Sequence, residues 1–416
     1  MTPLERLFAL EQFGIKLGLE NIRILVDALG RPQDAWRSVH IAGTNGKGSV
    51  AAMVERGFRA AGLRTGRYTS PHLSTIEERV ALDGVAVDRA TFAAVTADVL
   101  GVMDGCLETG ALTVSPTFFE VSTAIAFEIF RRAKVDVAVV EVGLGGRFDA
   151  TNILTPEVAA ITTIAFDHER HLGRTLAAIA YEKAGIAKRG VPLVVGRVPA
   201  EAADKIRQVA SDAGAAVVDA HATTTDRVYP PMKLALPGRH QLENAAVAVG
   251  ILETWSAMVS PIPTEAIVTG LTECVWSARL EWLRLPGGAS LLIDAAHNPS
   301  GALALADYLR DAAVAPVPIV FAVMEDKDVG GMVAALAPVA SMFVATTVAH
   351  KRAKPAGALA EVIRRMAPGI NVEVEESPEA AVARVVAGHD RAVAAGSIFL
   401  IGPLRARLLA SGAERV

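Results

Sequence analysis

The chain has 416 residues, with 41 Lys and Arg against 45 Asp and Glu and a formal net charge of −4 at pH 7. That length exceeds one ordinary core and suits two domains, and the near balance of charge argues against a broad nucleic-acid footprint. Hydrophobic residues make up 51%, enough to fill sizeable cores, and the two cysteines, Cys106 and Cys274, argue against a disulfide framework or a cysteine metal site.

Taken in chain order, the N-terminus Met1-Thr2-Pro3-Leu4-Glu5-Arg6 lacks the basic-then-apolar order of a signal peptide. No apolar run approaches the ~20 residues of a bilayer span. A cytoplasmic monomer with no membrane or nucleic-acid partner is expected. Short apolar runs follow at 39–42, 135–142, 158–164, 191–195, 290–293, 319–323, 342–345 and 398–401. Each reads as a strand buried on both faces, with helical patterns such as 48–61, 119–133 and 300–312 between them. This alternation predicts α/β architecture: a P-loop-containing, mostly parallel sheet domain, then a smaller Rossmann-like α/β domain. The seam lies in 255–276, with Pro261 and Pro263, and a hinge is expected near 274–277, giving domains 1–275 and 276–416.

The strongest local signal is Gly43-Thr44-Asn45-Gly46-Lys47-Gly48-Ser49. A strand ends, a glycine-rich turn follows and a helix opens, so backbone N–H groups form an anion cradle with Lys47 reaching the β/γ-phosphates of ATP. The spacing departs from the usual phosphate loop: Ile41 stands at the first glycine, and Ser49 is one place late for Mg²⁺. Glu141 ends one apolar run and His168 follows another. Both are placed at the sheet's carboxyl edge, where ligands of open α/β sheets bind. Glu141 reads either as an oxygen ligand for Mg²⁺ or as an ion-pair partner of Arg147. By chemistry alone, His168 reads as a base or a hydrogen-bonded core group.

Gly43–Gly48 resembles the nucleotide loop of the Mur ligase superfamily. With Ser70-Pro71-His72-Leu73, Thr117-Phe118-Phe119-Glu120, Glu141–Asn152, Asp167-His168, Glu182–Ile186, His240–Ala246, Asp294–Pro299 and Asp326-Lys327-Asp328, it resembles the folylpolyglutamate synthase/dihydrofolate synthase branch. Ala295 stands where the branch usually has glycine in Asp-Gly-Ala-His, and Ala278 replaces the glycine of Gly-Arg.

The resemblance implies that Ser70, Glu141 and His168 ligate Mg²⁺ and that Lys183 is carbamylated by CO₂. On spacing alone Lys183 would be a solvated lysine early in a helix over 179–188. It further implies that Asn244 approaches the adenine, where a helix cap is the alternative. Arg279, Asp294 and His297 would serve ATP from the second domain, with His297 otherwise capping a helix turn. Thr117, Phe119, Asp149 and Ala150 would line the pterin pocket, although Phe118 and Phe119 also read as core. Lys47, Lys183 and His297 are then the catalytic candidates. The implied reaction adds L-glutamate to dihydropteroate, to a tetrahydrofolate (poly)glutamate, or to both, through an acyl phosphate. Two rivals are a cell-wall peptide ligase, which needs a further N-terminal domain where only 38 residues precede Val39, and a P-loop regulatory ATPase.

Overall fold

The structure, a computed structural model, describes residues 1–14, 18–221 and 232–416. The chain divides into two compact units. One comprises Met1–Ile164, His171–Ala235 and Glu243–Cys274; the other comprises Ala165–Arg170, Leu236–Leu242 and Val275–Val416.

The first unit holds eight strands: β1 (Arg37–Ala42), β2 (Thr65–Tyr68), β3 (Val80–Leu82), β4 (Val85–Ala86), β5 (Val137–Glu141), β6 (Val158–Ile161), β7 (Leu193–Val195) and β8 (Val217–Asp219), ordered β4-β3-β2-β5-β1-β6-β7-β8. All neighbours from β2 to β8 run parallel, and β3 and β4 add an antiparallel edge. Every residue of β5 and β6 is buried, which is why these runs are continuously apolar. From β1 the chain moves toward β2 on one side, and from β5 it crosses to β6 on the other. The strand order therefore reverses at β1 and opens a crevice at the carboxyl ends.

Helix Lys47–Ala60 follows β1. Helix Thr264–Glu273 lies against it so closely that a Cβ at Gly270 would meet the Met53 carbonyl oxygen at 2.6 Å. Phe58 and Trp255 meet edge to face with ring centroids 4.7 Å apart, worth about 1 kcal/mol beyond area burial. These contacts seat the helix whose first turn is the candidate phosphate loop.

The second unit holds β9 (Glu281–Arg284), β10 (Ser290–Ile293), β11 (Val317–Phe321), β12 (Ala340–Ala345), β13 (Asn371–Val374), β14 (Arg391–Ala395) and β15 (Glu414–Arg415), ordered β13-β12-β11-β14-β10-β9-β15. The first five in that order are parallel, and β9 and β15 are antiparallel. Both sheets have the predicted α/β class.

Three readings need correction. The run 398–401 opens helix Ile398–Ala410, because Ser397 caps it and buried Leu400, Ile401 and Leu404 recur at helical spacing. The strand there is β14, whose alanines hide its β character. Lys183 lies in the last turn of helix Leu176–Ala184, which starts at its Thr175 cap and ends at Gly185. The helix carrying Asn244 begins at His240, so Asn244 sits a turn inside and is no cap. Helix Arg89–Glu108 is long and apolar enough to cross a bilayer by length and composition. Its Phe92, Val95, Val99, Leu100 and Met103 are instead buried in the core with Val121 and Phe127.

Candidate active site at the carboxyl ends of the first sheet

The glycine-rich turn is held from the neighbouring strand. The Thr44 N–H donates to the Thr163 carbonyl at 2.8 Å, and the Asn45 N–H donates to the Thr163 hydroxyl at 3.0 Å. The Asn45 carbonyl accepts from the hydroxyls of Thr162 at 2.6 Å and Thr163 at 3.0 Å. Gly43 has φ +150°, and a Cβ there would lie 1.9 Å from Thr162 Oγ1. Gly46 adopts the left-handed conformation that turns the chain into the helix at Lys47, which places Gly48 and buried Ser49 in the first turn. A Cβ at Gly46 would lie 2.2 Å from Asn244 Oδ1, so the buried Asn244 side chain is at the loop. Thr162 and Thr163 carried no signal beyond their place in the apolar run 158–164.

Three charged groups gather beneath this loop. The Lys47 Nζ folds back to donate to the carbonyls of Gly43 at 3.1 Å and Thr44 at 3.3 Å, and it lies 3.8 Å from Glu141 Oε1. Glu141 is the last residue of β5 and buried, and its Oε2 accepts from the Ser70 N–H at 3.3 Å. Lys183, also buried, donates to the Gly43 carbonyl at 2.9 Å. Arg147 pairs with Glu182 at 2.6 Å, so it does not engage Glu141.

A hard cation such as Mg²⁺ takes oxygen ligands and usually keeps waters and substrate phosphates in its shell. One buried carboxylate beside a serine and a phosphate loop fits that donor set. Among the described residues no three His, Cys, Asp or Glu side chains group as a protein-only metal site. His168 lies in Ala165–Arg170, which belongs to the second unit, and has φ +51°.

Of the residues expected on the acceptor side, Phe119, Asp149 and Ala150 lie at the loop after β5. A Cβ at Gly143 would lie 2.4 Å from the Phe119 ring, and Phe119 and Tyr68 rings are 6.1 Å apart. Thr117 caps helix Phe118–Ala133, exchanging hydrogen bonds with Glu120 in a capping box. Asp149 Oδ1 accepts from Thr151 N–H at 3.0 Å and its hydroxyl at 2.5 Å, and Oδ2 accepts from Leu144 N–H at 2.8 Å. Burial pushes the Asp149 carboxyl upward, while these bonds oppose that. Asp149 therefore secures the loop and the short turn Ala150–Ile153, and Ala150 is buried beside it.

Arg79 was missed by the sequence reading. It is buried, its Nε donates to His72 Nδ1 at 3.0 Å, and its guanidinium sits 5.0 Å from the Phe118 ring centroid. Among the described residues no carboxylate pairs with it within 4.0 Å. Burial holds it below its ordinary value. A buried cation of this kind calls for an anion.

In the second unit, Asp294 follows β10 and is buried, with both oxygens bonded to backbone: Leu280 N–H at 2.9 Å and Ala296 N–H at 2.8 Å. Arg279 donates to the Ala278 carbonyl at 3.0 Å. His297 Nδ1 faces the Ala295 carbonyl at 2.9 Å, and its Nε2 lies 3.4 Å from Asp167 Oδ2. Asp167 also accepts from Lys327 at 2.6 Å and from Asn298 at 3.0 Å. Burial alone would raise the Asp167 carboxyl. The His297 hydrogen bond and the charges of His168 and Lys327 outweigh it and hold the group well below the usual carboxylate range. Asn298, rather than His297, caps helix Pro299–Asp311.

Residues 41–252 match the Mur ligase middle domain, and residues 278–399 match the Mur ligase glutamate ligase domain. The folylpolyglutamate synthase of Mycobacterium tuberculosis, solved with ADP, is 33% identical and superposes with a TM-score of 0.88 over 98% of each chain. The chain belongs to the folylpolyglutamate synthase/dihydrofolate synthase family of Mur ligases. A bifunctional folylpolyglutamate synthase/dihydrofolate synthase solved with Mn, AMPPNP and L-glutamate is 30% identical, with a TM-score of 0.84 over 98% of each chain. The probable bifunctional folylpolyglutamate synthase/dihydropteroate synthase of Halobacterium salinarum is 35% identical over 98% of this chain and 51% of that one. The chain thus spans about half the length of that curated relative.

In this family member the first unit brings Gly43–Ser49, Ser70, Glu141, Lys183 and Asn244 to one loop, and Phe119, Asp149 and Ala150 to the segment after β5, while Thr117 caps the helix that carries Phe119. Arg279, Asp294, His297 and His168 belong to the second unit.

Proposed function

We propose that this folylpolyglutamate synthase family member is an ATP-dependent ligase that joins L-glutamate to a folate-type carboxylate. The observation that carries the reading is the meeting of Lys47, Lys183 and Glu141 at a phosphate-loop turn. An amide cannot form from a carboxylate until its oxygen becomes a leaving group. The acceptor carboxylate attacks the γ-phosphorus of ATP, forming an acyl phosphate and releasing ADP. The neutral amine of glutamate attacks the acyl carbon, loses a proton to solvent or a nearby base, and expels phosphate. The turn's N–H groups and Lys47 stabilise charge on the transferring phosphoryl group. Mg²⁺ held by Glu141, with Ser70 as a further ligand implied by the resemblance, would add charge neutralisation there.

In this reading Asn244 serves the nucleotide, Arg279 and Asp294 serve ATP, and His297 serves catalysis. Thr117, Phe119, Asp149 and Ala150 shape the pterin side, and Arg79 offers a partner for an acceptor carboxylate. Residues 1–275 act as the ATP and folate domain and 276–416 as the C-terminal ligase domain. Lys183 works as a carbamate. The protein acts in the cytoplasm as a monomer, without nucleic-acid or membrane partners.

The test is ADP release with glutamate plus either dihydropteroate or tetrahydrofolate, run side by side. Wild-type release depends on both glutamate and a folate acceptor, and Lys47→Ala slows it by about 100-fold or more. Release that ignores folates, or that Lys47→Ala leaves unchanged, overturns the reading.

A further inference from the structure

His40 lies one hydrogen bond from Thr151. It lies in β1, the strand that ends in the phosphate loop, and is fully buried between apolar neighbours Val39 and Ile41. Its Nε2 is 2.8 Å from Thr151 Oγ1, which is itself 2.5 Å from Asp149 Oδ1. Both Asp149 oxygens accept backbone N–H bonds, as a carboxylate does. A hydroxyl has one hydrogen, and the carboxylate takes it. Thr151 therefore accepts from His40, which fixes the tautomer: Nε2 carries the proton and Nδ1 is bare.

Among the described residues Nδ1 is buried without a partner. Protonating the ring would place an N–H there with nothing to receive it. Burial, aided by the charge of Lys188, accordingly pulls His40 down to about 3. A leucine would fill this space with no polar atom to desolvate. What the imidazole adds is one directed bond to Thr151.

We infer that His40 is a positioning residue for the acceptor site, holding Thr151 and through it the Asp149 carboxylate that ties down the loop after β5. That loop touches Phe119 at Gly143. It also lies against the Lys183 backbone at Gly146, where a Cβ would meet the Lys183 carbonyl oxygen at 2.8 Å. Slackening it shifts the acceptor's contacts first, because the phosphate loop is held mainly by Thr162 and Thr163. The inference rests on the reading of Thr117, Phe119, Asp149 and Ala150 as the pterin side.

The experiment is steady-state kinetics on His40→Leu, His40→Gln, Thr151→Val and Thr151→Ser, normalised to folded protein. His40→Leu and Thr151→Val remove the donor or the bridging hydroxyl, and each raises KM for the folate acceptor about 10-fold with KM for ATP within about twofold. His40→Gln, which returns an N–H near Nε2, and Thr151→Ser, which keeps the hydroxyl, stay close to wild type. If His40→Leu fails to fold, the Thr151 pair decides. A uniform fall in kcat with KM values unchanged means a structural role only and overturns the inference. A wild-type chain that uses neither folate acceptor overturns the functional reading instead.

Discussion

The Nζ of Lys183 donates to the carbonyl of Gly43 at 2.9 Å. The Lys47 Nζ reaches the same oxygen at 3.1 Å, so two amino groups from distant parts of the chain converge on one acceptor. A carbamate on Lys183 would replace their repulsion with attraction. Enzyme equilibrated with ¹³C-bicarbonate should show a carbamate signal by NMR that disappears in Lys183→Ala. That variant should lose about 100-fold in turnover, partly restored by a short carboxylate that supplies the missing charge. Full turnover by Lys183→Ala would show that the amine's position is incidental.

Gly46 makes a sharper test of the loop than any lysine. Its φ of +88° and the Asn244 Oδ1 lying 2.2 Å from a would-be Cβ leave no room for a side chain. Gly46→Ala should weaken ADP binding in calorimetry by about 10-fold or more. Gly62, with φ +87° and nothing within 4 Å of its Cβ position, is the control. Gly62→Ala should cost about 1 kcal/mol of stability and leave ADP affinity untouched. Equal ADP binding in both variants would remove Gly46 from the site.

Burial pulls His40 to about 3 and, with the charge of Arg79, His72 to about 4, both from 6.5. Folded, these rings stay neutral where the unfolded chain takes up protons. Their contribution is complete above pH 6.5 and is lost as pH falls toward 4 for His72 and toward 3 for His40. In that window His40 gives a slope of about 1.4 kcal/mol per pH unit. Urea unfolding of His40→Gln should show stability falling less steeply between pH 6.5 and 4.5, by about one proton. An unchanged slope would mean that His40 is protonated in the folded chain.

Glu281 governs the second unit's entry. Its carboxylate accepts from Arg405 at 2.8 Å and from the Ala278 N–H at 2.8 Å, and it pairs with Arg415 at 2.9 Å. Ala278 and Leu280 both have positive φ, so the carboxylate holds a strained turn. Glu281→Ala should destabilise this unit by about 3 kcal/mol, measured as faster amide exchange in β9 and β10. Unaltered exchange would assign the turn's stability elsewhere.

What could be read from residues alone follows the range of the chemistry. Gly43–Ser49 is contiguous, so strand, turn and helix were legible together. Thr162 and Thr163 reach that loop only because β1 pairs with β6 in a register that sets Ala42 beside Ile161, and no local pattern encodes that register. Arg79 follows Glu77 and Glu78 and reads as a solvated charge, yet the fold buries it. Lys183 looked like an early helix residue because the pattern to Lys188 hides the stop at Gly185. The run 398–401 shows that four apolar residues do not distinguish strand from helix.

The central claim is that the acceptor carboxylate is phosphorylated before glutamate attacks. A single turnover with ¹⁸O in that carboxylate tests it most directly, with the released phosphate analysed by mass. Activation by ATP moves one labelled oxygen from the acceptor to inorganic phosphate, in step with ADP and the glutamyl product. Phosphate free of label while the amide forms would contradict the account.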